Sequence, residues 1–272
     1  MKDTVLLITG ASSGIGRAMA FAFGREGAKI VICARKADAL EQVRQELQQA
    51  HIEVLALTAD VSVEADVKRL IEQTIAHFGQ LNILINNAGI SMRSMLIDTD
   101  PAVIQKVMDV NFMGTVYATR YALPHIMKTK GSIVGISSIA GFRGLPVRSG
   151  YSASKFAMNG FLEALRTELL HSGVHVLTAC PGFTASNIRF AALGADGQVV
   201  GETMRDEGSM MTAEECADHI LRAVKNRRRD LILTTQGKFT IWLNKWAPAL
   251  MDKLVYNTLA KEKNSPLKRS DK

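Results

Sequence analysis

Short apolar runs alternate with longer stretches of mixed polarity along most of the chain. Continuous runs of about five apolar residues are typical of strands buried on both faces, and apolar residues three or four positions apart indicate helices with one packed side. The predicted strands are residues 5–8, 29–33, 53–58, 81–85, 131–137, 174–179 and 230–234. The predicted helices are residues 14–27, 37–50, 62–79, 100–130 and 151–171, with another beginning at 212, and the expected N-caps are Ser62, Asp100 and Thr212.

Strands and helices that alternate over short connections predict right-handed crossovers and a parallel sheet covered on both faces. The expected fold class is therefore α/β, a single-domain doubly wound parallel sheet of about seven strands with a C-terminal helical extension. Residues 1–236 would form the one domain and residues 237–272 the extension. Residues 183–211 interrupt the alternation, so we interpret them as a loop that covers a site.

The composition is that of a packed globular chain, since 47% of its 272 residues are apolar and 22% are charged. Cys33, Cys180 and Cys216 are far apart and are expected to be buried thiols in a reducing compartment. The first apolar run is too short for a signal-peptide core, and no stretch approaches the ~18 continuous apolar residues of a membrane span. These features predict a soluble, cytoplasmic protein, and the six histidines form no metal-ligand pattern.

Positive charge is concentrated at the C-terminal end. Residues 222–272 hold 13 Lys and Arg against 4 Asp and Glu, whereas the preceding residues hold 20 against 22. No nucleic-acid motif accompanies this charge, so a nucleic-acid partner is not expected. Pro248 interrupts any single long helix here, and lysines accompany an apolar series at helical spacing: Phe239, Leu243, Trp246, Leu250 and Leu254. The pattern fits either a face packed on this subunit or a partner, or a segment that contacts a membrane surface.

A glycine-rich turn joins the first predicted strand to the first predicted helix. Glycines allow a sharp turn and a close backbone approach, and the helix N-terminus that follows offers free amides to a phosphate. The alternative is that the glycines serve helix packing. The position of the turn favours a site for a nucleotide pyrophosphate, formed by Gly10, Ser12, Ser13, Gly14, Ile15 and Gly16.

The end of the second predicted strand bears on which dinucleotide would bind. An acidic side chain at this place binds a ribose hydroxyl, and a basic one binds a 2′-phosphate. The chain has Arg35 and Lys36 here and no acid. Arg35 therefore predicts NADP(H) rather than NAD(H) as the cofactor. The alternative is that Arg35 is a solvated residue at the start of a helix.

Taken together, the motifs of residues 4 to 235 resemble those of the short-chain dehydrogenase/reductase family. The resemblance implies a Rossmann-type dinucleotide-binding catalytic domain and a likeness of the tail to the 11-beta-hydroxysteroid dehydrogenase-like branch, which acts on lipophilic carbonyls at membranes. It also implies a homodimer or homotetramer that pairs through helices 101–130 and 151–171. Five motifs carry the resemblance: Thr9-Gly10-x-x-x-Gly14-x-Gly16, Asp60-Val61, Asn86-Asn87-Ala88-Gly89, Ser138 with Tyr151-x-x-x-Lys155, and Pro181-Gly182.

The resemblance also implies a role for each matching residue. Asp60 and Val61 would hold the adenine, and Asn111 would support a proton relay. The cofactor cleft would be lined by Asn87, Ala88 and Gly89, and the nicotinamide end would be contacted by Pro181, Gly182 and Thr184.

The chemistry of Tyr151, Lys155 and Ser138 agrees with these roles. Hydride transfer to a carbonyl builds negative charge on oxygen, which requires a proton donor and a hydrogen-bond donor. Lys155 lies one helical turn from Tyr151, and we expect its ammonium to lower the pKa of the phenol and to bind the nicotinamide ribose. Ser138 would polarise the substrate oxygen. A non-catalytic NADP-binding regulatory or scaffold protein is the competing interpretation, and it has no need of such a relay.

The sequence says less about the identity of the substrate. Arg189 could meet an acidic group, or it could be a solvated loop residue. The other side chains of the 183–211 loop suggest an apolar alcohol or ketone, and they are Phe183, Phe190, Leu193, Met204, Met210 and Met211.

Overall fold

A computed structural model describes residues 1–182, 184, 188–201, 210–262 and 264–271. Its centre is a sheet of seven strands in the order β3-β2-β1-β4-β5-β6-β7, in which every neighbouring pair is parallel. The predicted doubly wound α/β fold is confirmed. The strands are β1 (Val5–Thr9), β2 (Lys29–Ala34), β3 (Val54–Thr58), β4 (Ile83–Asn86), β5 (Ser132–Ile136), β6 (His175–Cys180) and β7 (Asp230–Ile232).

Helices cover both faces of this sheet. Alternate residues of one strand point to opposite faces, so Leu6 and Ile8 share an apolar cluster with Phe23 of the first helix. Leu7 points the other way, into a cluster with Leu162. The helices are α1 (Gly14–Arg25), α2 (Ala37–Gln49), α3 (Glu64–Phe78), α4 (Pro101–Met108), α5 (Gly114–Thr129), α6 (Ser149–Glu168), α7 (Ala213–Lys225), α8 (Thr235–Trp246) and α9 (Pro248–Ala260).

The long helix predicted at residues 100–130 contains a local change of helical geometry. Asp100 caps it by accepting from the Ala102 amide, as expected. Between α4 and α5, residues Asp109–Met113 form a π-helical turn. Such turns leave the regular hydrogen-bonding ladder and often occur at functional sites. Asn111 lies in this turn.

Two of the expected caps can be compared directly. Thr212 forms a reciprocal capping box with Glu215, as the sequence predicts. The prediction for Ser62 is wrong, because Val63 occupies the N-cap of α3. The Ser62 hydroxyl instead donates to Asp60 Oδ1 at 2.7 Å, which removes it from the helix end.

The C-terminal extension folds as two helices that meet at Pro248, the first residue of α9. Because proline lacks the amide that a continuous helix needs, the break lies where the sequence predicts it. The division of the chain at residues 236 and 237 stays a prediction.

Among the described residues, we find no helix with both the length and the apolar character needed to cross a membrane.

Candidate active site

The glycine turn lies where the carboxyl ends of β1 and β4 meet, and close backbone packing requires its glycines. Gly10 has φ +68°, and a Cβ there would lie 2.7 Å from Ala88 Cα. A Cβ at Gly16 would lie 2.4 Å from the Gly10 carbonyl oxygen and 2.5 Å from Asn87 Nδ2. The turn is therefore a backbone cradle at the N-terminus of α1, the geometry that suits a pyrophosphate.

Thr9 and Asn87 join this turn to the segment after β4. The Thr9 hydroxyl oxygen accepts from the amides of Asn87 and Ala88 at 3.1 and 3.0 Å. Asn87 Nδ2 donates to the carbonyl oxygens of Thr9 and Gly10 at 2.9 and 3.0 Å. The two segments predicted to contact cofactor thus form one hydrogen-bonded unit. The remaining turn residues, Ser12, Ser13, Gly14 and Ile15, are partly or fully exposed.

Arg35 and Asp60 are neighbours beyond the carboxyl ends of β2 and β3. Arg35 is exposed, and its Nη1 lies 4.0 Å from Asp60 Oδ2. An ion pair this long and this exposed contributes little, so the guanidinium can exchange its partner for a phosphate. Val61, the next residue, is buried and lies against Gly114.

Asn111 connects three parts of the candidate site. Its Oδ1 accepts from the Ile90 amide at 2.8 Å, and its Nδ2 donates to the Ile90 carbonyl oxygen and to Ser154 Oγ, both at 2.9 Å. Ser154 belongs to α6 and immediately precedes Lys155. The π-helical turn, the segment after β4 and α6 are therefore held together by one buried side chain.

Ser138, Tyr151 and Lys155 converge where β5 ends and α6 begins. Lys155 is buried, and its Nζ donates to the Ile136 carbonyl oxygen at 2.8 Å. The same nitrogen lies 5.9 Å from the centroid of the Tyr151 ring. Tyr151 is half-buried and hydrogen-bonds to Ser138. Gly89 borders the group, since a Cβ there would lie 3.7 Å from Lys155 Nζ.

Burial dominates the proton affinity of these side chains. It raises the pKa of Tyr151, whereas the hydrogen bond from Ser138 and then the charge of Arg148 act in the opposite direction. Burial also lowers the pKa of Lys155 to about 8. Desolvation of the phenol outweighs the charges around it, and the expected effect of Lys155 on the pKa of Tyr151 stays a prediction. Tyr151 is consequently a neutral phenol near pH 7, the form that donates a proton.

The residues expected at the nicotinamide end follow β6. A Cβ at Gly182 would lie 2.5 Å from Thr234 Cγ2, so the chain passes close to the start of α8. Thr184 Oγ1 donates to the Gly182 carbonyl oxygen at 3.4 Å. Pro181 is buried at the carboxyl end of the strand. These three residues adjoin the end of β5, where Ser138 lies.

The loop residues proposed to contact substrate fall into different environments. Leu193 is buried with Met92 in a small apolar cluster against which Tyr151 packs. Phe190 is exposed, and Met210 and Met211 are partly buried. Arg189 donates to the Thr184 carbonyl oxygen at 3.1 Å and is not a solvated side chain. Phe183 and Met204 lie outside the described residues.

Sequence reasoning missed a group of buried charges beside Tyr151. Glu262 of the extension pairs with Arg148 and Arg93, and all three side chains are largely buried. Arg148 and Glu262 are 114 positions apart, so no local pattern joins them.

Comparison with known proteins identifies the family. Residues 4–193 match the family described as short chain dehydrogenase. The chain belongs to the short-chain dehydrogenase/reductase family. Members of this family are oxidoreductases that use a nicotinamide cofactor on CH–OH groups, and the family predicted from the motifs is confirmed.

Two relatives are similar over nearly the whole chain. The chain is 34% identical to mouse dehydrogenase/reductase SDR family member 7B over 272 residues, covering 97% of this chain and 84% of the relative. It is 35% identical to 11-beta-hydroxysteroid dehydrogenase-like 4A of Arabidopsis thaliana over 253 residues, covering 92% and 83%. The second relative carries the name of the branch that the tail resembles.

Solved structures agree on the fold. A short-chain dehydrogenase/reductase from Burkholderia phymatum, solved in complex with NAD, has a TM-score of 0.83 and 25% identity over 92% of this chain and 95% of that one. An alcohol dehydrogenase from the archaeon Thermococcus sibiricus, complexed with 5-hydroxy-NADP, has a TM-score of 0.74 and 24% identity over 85% and 95%.

Proposed function

We propose that this family member is an NADP(H)-dependent oxidoreductase that interconverts a carbonyl and a secondary alcohol on an apolar substrate. The observation that carries the proposal is the convergence of Ser138, Tyr151 and Lys155 beside the glycine turn, with Asn111 linking the segment after β4 to α6. The bound cofactor supplies or accepts the hydride. The protein's own side chains handle the proton and the charge on oxygen.

Tyr151 is the proposed acid and base. In the reducing direction its neutral phenol donates a proton to the carbonyl oxygen as negative charge develops there, and in the oxidising direction the phenolate takes it back. Ser138, already hydrogen-bonded to Tyr151, orients and polarises the same oxygen. A raised pKa suits reduction near neutral pH because the proton is in place before the substrate arrives.

Lys155 and Asn111 are the proposed route for replacing that proton. A pKa of about 8 lets Lys155 exchange protons near physiological pH, and its Nζ lies beside Gly89, in the segment assigned to the cofactor cleft. Asn111 binds Ser154, the residue before Lys155, and so fixes this stretch of α6. We therefore assign Lys155 to ribose binding and proton exchange, and Asn111 to support of the relay.

The cofactor residues fit the group proposed for them. Gly10 and Gly16 lack side chains, which lets the turn pack closely against Ala88 and Asn87, and a pyrophosphate binds such a backbone cradle at a helix N-terminus. Asp60 and Val61 are assigned to the adenine, and Arg35 to the 2′-phosphate. We assign the lining of the cofactor cleft to Asn87, Ala88 and Gly89, and the nicotinamide end to Pro181, Gly182 and Thr184.

Replacing Tyr151 tests the catalytic proposal. NADPH consumption is measured on a panel of ketones, aldehydes and sterols, and cofactor affinity is measured separately by fluorescence titration. Tyr151→Phe should lower turnover by at least 100-fold, consistent with the 10²–10⁴-fold of general acid catalysis, and should leave NADPH affinity nearly unchanged. Tyr121→Phe is the matched control, since that hydroxyl bonds Glu64 on the surface.

The same experiment separates the competing function. A non-catalytic NADP-binding protein would bind the cofactor but consume none with any substrate of the panel. Substantial turnover by Tyr151→Phe, with substrate and cofactor affinities intact, would refute the role of the phenol.

Arg35→Gln tests the cofactor preference. Loss of a charge-assisted contact worth about 1.5–3 kcal/mol should reduce kcat/KM for NADPH roughly 10- to 100-fold and leave the value for NADH almost unchanged. Arg44→Gln is the control, because Arg44 pairs with Glu41 on the exposed side of α2. A wild-type preference for NADH would remove this part of the proposal.

We further propose that the extension contacts membranes from the cytoplasmic side. An apolar surface of α8 and α9 is exposed beside lysines, which suits an anionic lipid surface. The exposed apolar residues are Phe239, Trp242, Trp246, Leu250, Leu254 and Tyr256.

Flotation with vesicles tests this contact. Phosphatidylcholine vesicles with and without phosphatidylserine are compared for wild type, Trp246→Ser and the control Leu170→Ser, which alters an equally exposed apolar residue outside the extension. We expect Trp246→Ser to weaken flotation and Leu170→Ser to leave it unchanged. The loss should be large only with the vesicles that contain phosphatidylserine. Identical flotation of the three proteins would remove the membrane contact.

By analogy with the family, we propose a homodimer or homotetramer built through α4–α5 and α6. Phe156 and Met127 leave apolar surface exposed on these helices. Light scattering after size-exclusion chromatography tests this, and a monomer at micromolar concentration would contradict it.

A further inference from the structure

Glu262 is a buried carboxylate that the C-terminal extension places against two arginines. Its exposed fraction is 7%, and its Oε2 accepts from Arg148 Nη2 at 3.2 Å. Arg93 Nη2 lies 3.9 Å from the same oxygen. A carboxylate at this depth is unfavourable unless it is paired, so the geometry of all three side chains is closely linked.

The two arginines come from segments on either side of Tyr151. Arg93 follows Met92, whose side chain belongs to the apolar cluster that packs against Tyr151. Arg148 immediately precedes α6 and is three positions from Tyr151. The extension therefore contacts both segments that flank the candidate proton donor.

Other contacts of the extension hold the same connection between β5 and α6. Asn244 Nδ2 donates to the Phe142 carbonyl oxygen at 3.2 Å, and Asn244 Oδ1 accepts from Arg143 at 3.0 Å. Val147 is buried in an apolar cluster with Leu259 and Leu267.

The backbone at Val147 depends on these contacts. Its φ of +58° lies in the left-handed region, which a β-branched residue adopts only when its surroundings impose it. The side chains that impose it include those of the extension. The segment between Ser138 and Tyr151 therefore takes its conformation partly from residues 244–267.

The charges around Tyr151 give this arrangement a chemical consequence. Arg148 and Arg189 favour the phenolate, and Cys180 disfavours it. On its own helix, Lys155 lies 5.9 Å from the ring centroid, and Ser138 supplies a hydrogen bond. The cluster packed against the ring from the other elements is apolar: Ile90, Met92, Val103, Ile104, Val107 and Leu193. Of the charges, that of Arg148 acts most strongly, and Glu262 is its ion-pair partner.

We propose that Glu262 is a positioning residue that fixes the guanidinium of Arg148 beside Tyr151 and so makes the C-terminal extension part of the catalytic unit. The inference rests on the proposed role of Tyr151 as proton donor. It adds a residue that the family motifs do not contain and gives the extension a function at the site as well as at its exposed surface.

The test is the pH profile of carbonyl reduction by the full-length protein. Activity should change first near pH 8, the pKa of Lys155, and should then fall at higher pH as Tyr151 loses its proton. Arg148→Gln removes the favourable charge, so this alkaline limb should move to higher pH by roughly one unit. Glu262→Gln releases the guanidinium of Arg148 from its fixed position beside Tyr151, so the limb should also move to higher pH, by less than in Arg148→Gln. Arg148→Lys keeps the charge and should stay close to wild type.

A matched control comes from the other ion pair between the extension and this connection. Asp252 pairs with Arg143, but the Asp252 side chain is exposed. Asp252→Asn should therefore leave the alkaline limb where it is. Thermal melting of each variant records folding. If Glu262→Gln does not fold, Glu262→Asp takes its place, since it keeps the charge but shortens the side chain that holds Arg148, and it should move the limb in the same direction.

Shifts to higher pH in both variants, the larger one in Arg148→Gln, would support the proposal. A purely structural role would lower kcat or the melting temperature without moving the limb, and a shift to lower pH in Glu262→Gln would mean that Arg148 keeps its place without Glu262. Either result would overturn the inference. Failure of the proposed function looks different, because Tyr151→Phe would then retain turnover or the wild type would reduce no carbonyl of the panel.

Discussion

The two sides of the candidate active site are held by different kinds of contact. On the cofactor side, Gly10 and Gly16 pack closely against neighbouring atoms, and the side chains of Thr9 and Asn87 bind main-chain atoms there. On the substrate side, side chains from distant parts of the chain meet, and Arg148 and Glu262 are the clearest pair. One side requires glycines and contacts to the main chain, and the other depends on pairs of side chains.

This difference has a consequence for how the protein can change. The backbone cradle tolerates few substitutions, because a side chain added at Gly10 or Gly16 would collide with neighbouring atoms. The substrate side can be altered by changing a few side chains of the extension or of the 183–211 loop while the cofactor remains bound. The contrast can be tested by making matched substitutions on the two sides.

The largest effect is expected from adding one methyl group to the cofactor side. In Gly16→Ala, the new Cβ would lie 2.4 Å from a carbonyl oxygen, so the turn must shift. Overpacking of this kind costs about 1–3 kcal/mol, and we expect NADPH affinity to fall roughly 10- to 100-fold. Fluorescence titration measures it.

Gly144→Ala is the matched change on the other side. Gly144 lies in the connection held by the extension, and a Cβ there would meet no atom of the described chain within 4 Å. NADPH affinity should stay within about twofold of wild type, inside the usual range for a surface substitution. Equal losses in the two variants would contradict the contrast between backbone and side-chain contacts.

A smaller effect is expected from Thr9→Val, which keeps the shape of the residue and removes its hydroxyl. Thr9 is buried, and the amides of Asn87 and Ala88 then lose their acceptor. Each unsatisfied group costs about 1–3 kcal/mol, so the unfolding free energy should drop by at least 2 kcal/mol on this estimate. Denaturant titration measures the drop.

The comparison residue is Asn244, which also bridges two segments but lies only partly buried. Water can replace the lost partners in Asn244→Ala, so about 1 kcal/mol is expected. If Asn244→Ala proved the more damaging change, the extension would be as integral to the fold as the sheet is.

What sequence reasoning could predict follows the same division. The sheet, the glycine turn and the Tyr151–Lys155 pair were accessible because each depends on residues close together in the chain or on a repeated polarity pattern. Ser62 was misassigned as a cap because its hydroxyl has a competing acceptor in Asp60, two positions away. The net rise in the pKa of Tyr151 was not predicted because a charge argument alone omits burial, which only the tertiary structure shows.

The pair of Arg148 and Glu262 was out of reach for a further reason. A single glutamate in a basic tail looks like a solvated residue, since charged surface residues are common there. Only the fold of the extension, with α9 and the following turn laid against Val147, brings it to a buried arginine. Contacts of this kind have no period and no motif.

The smallest effect is expected at His175, which lies at the end of the strands opposite to the candidate site. His175 begins β6, and its Nε2 donates to the Arg228 carbonyl oxygen at 2.7 Å, so Nδ1 accepts from Ser132 in the neutral ring. Burial lowers the pKa of His175 below its ordinary value of 6.5.

Below about pH 6.5 the unfolded chain therefore binds a proton at His175 that the folded chain does not bind. Stability is lost as the pH falls toward the lowered pKa. His175→Gln should flatten this acid loss in denaturant titrations at pH 7 and 5, whereas His171→Gln, at an exposed position, should leave it unchanged. Turnover per folded molecule should keep its alkaline limb in both variants, because Tyr151 and Lys155 lie at the other end of the strands. A shift of that limb in His175→Gln would show that the scaffold and the site titrate together.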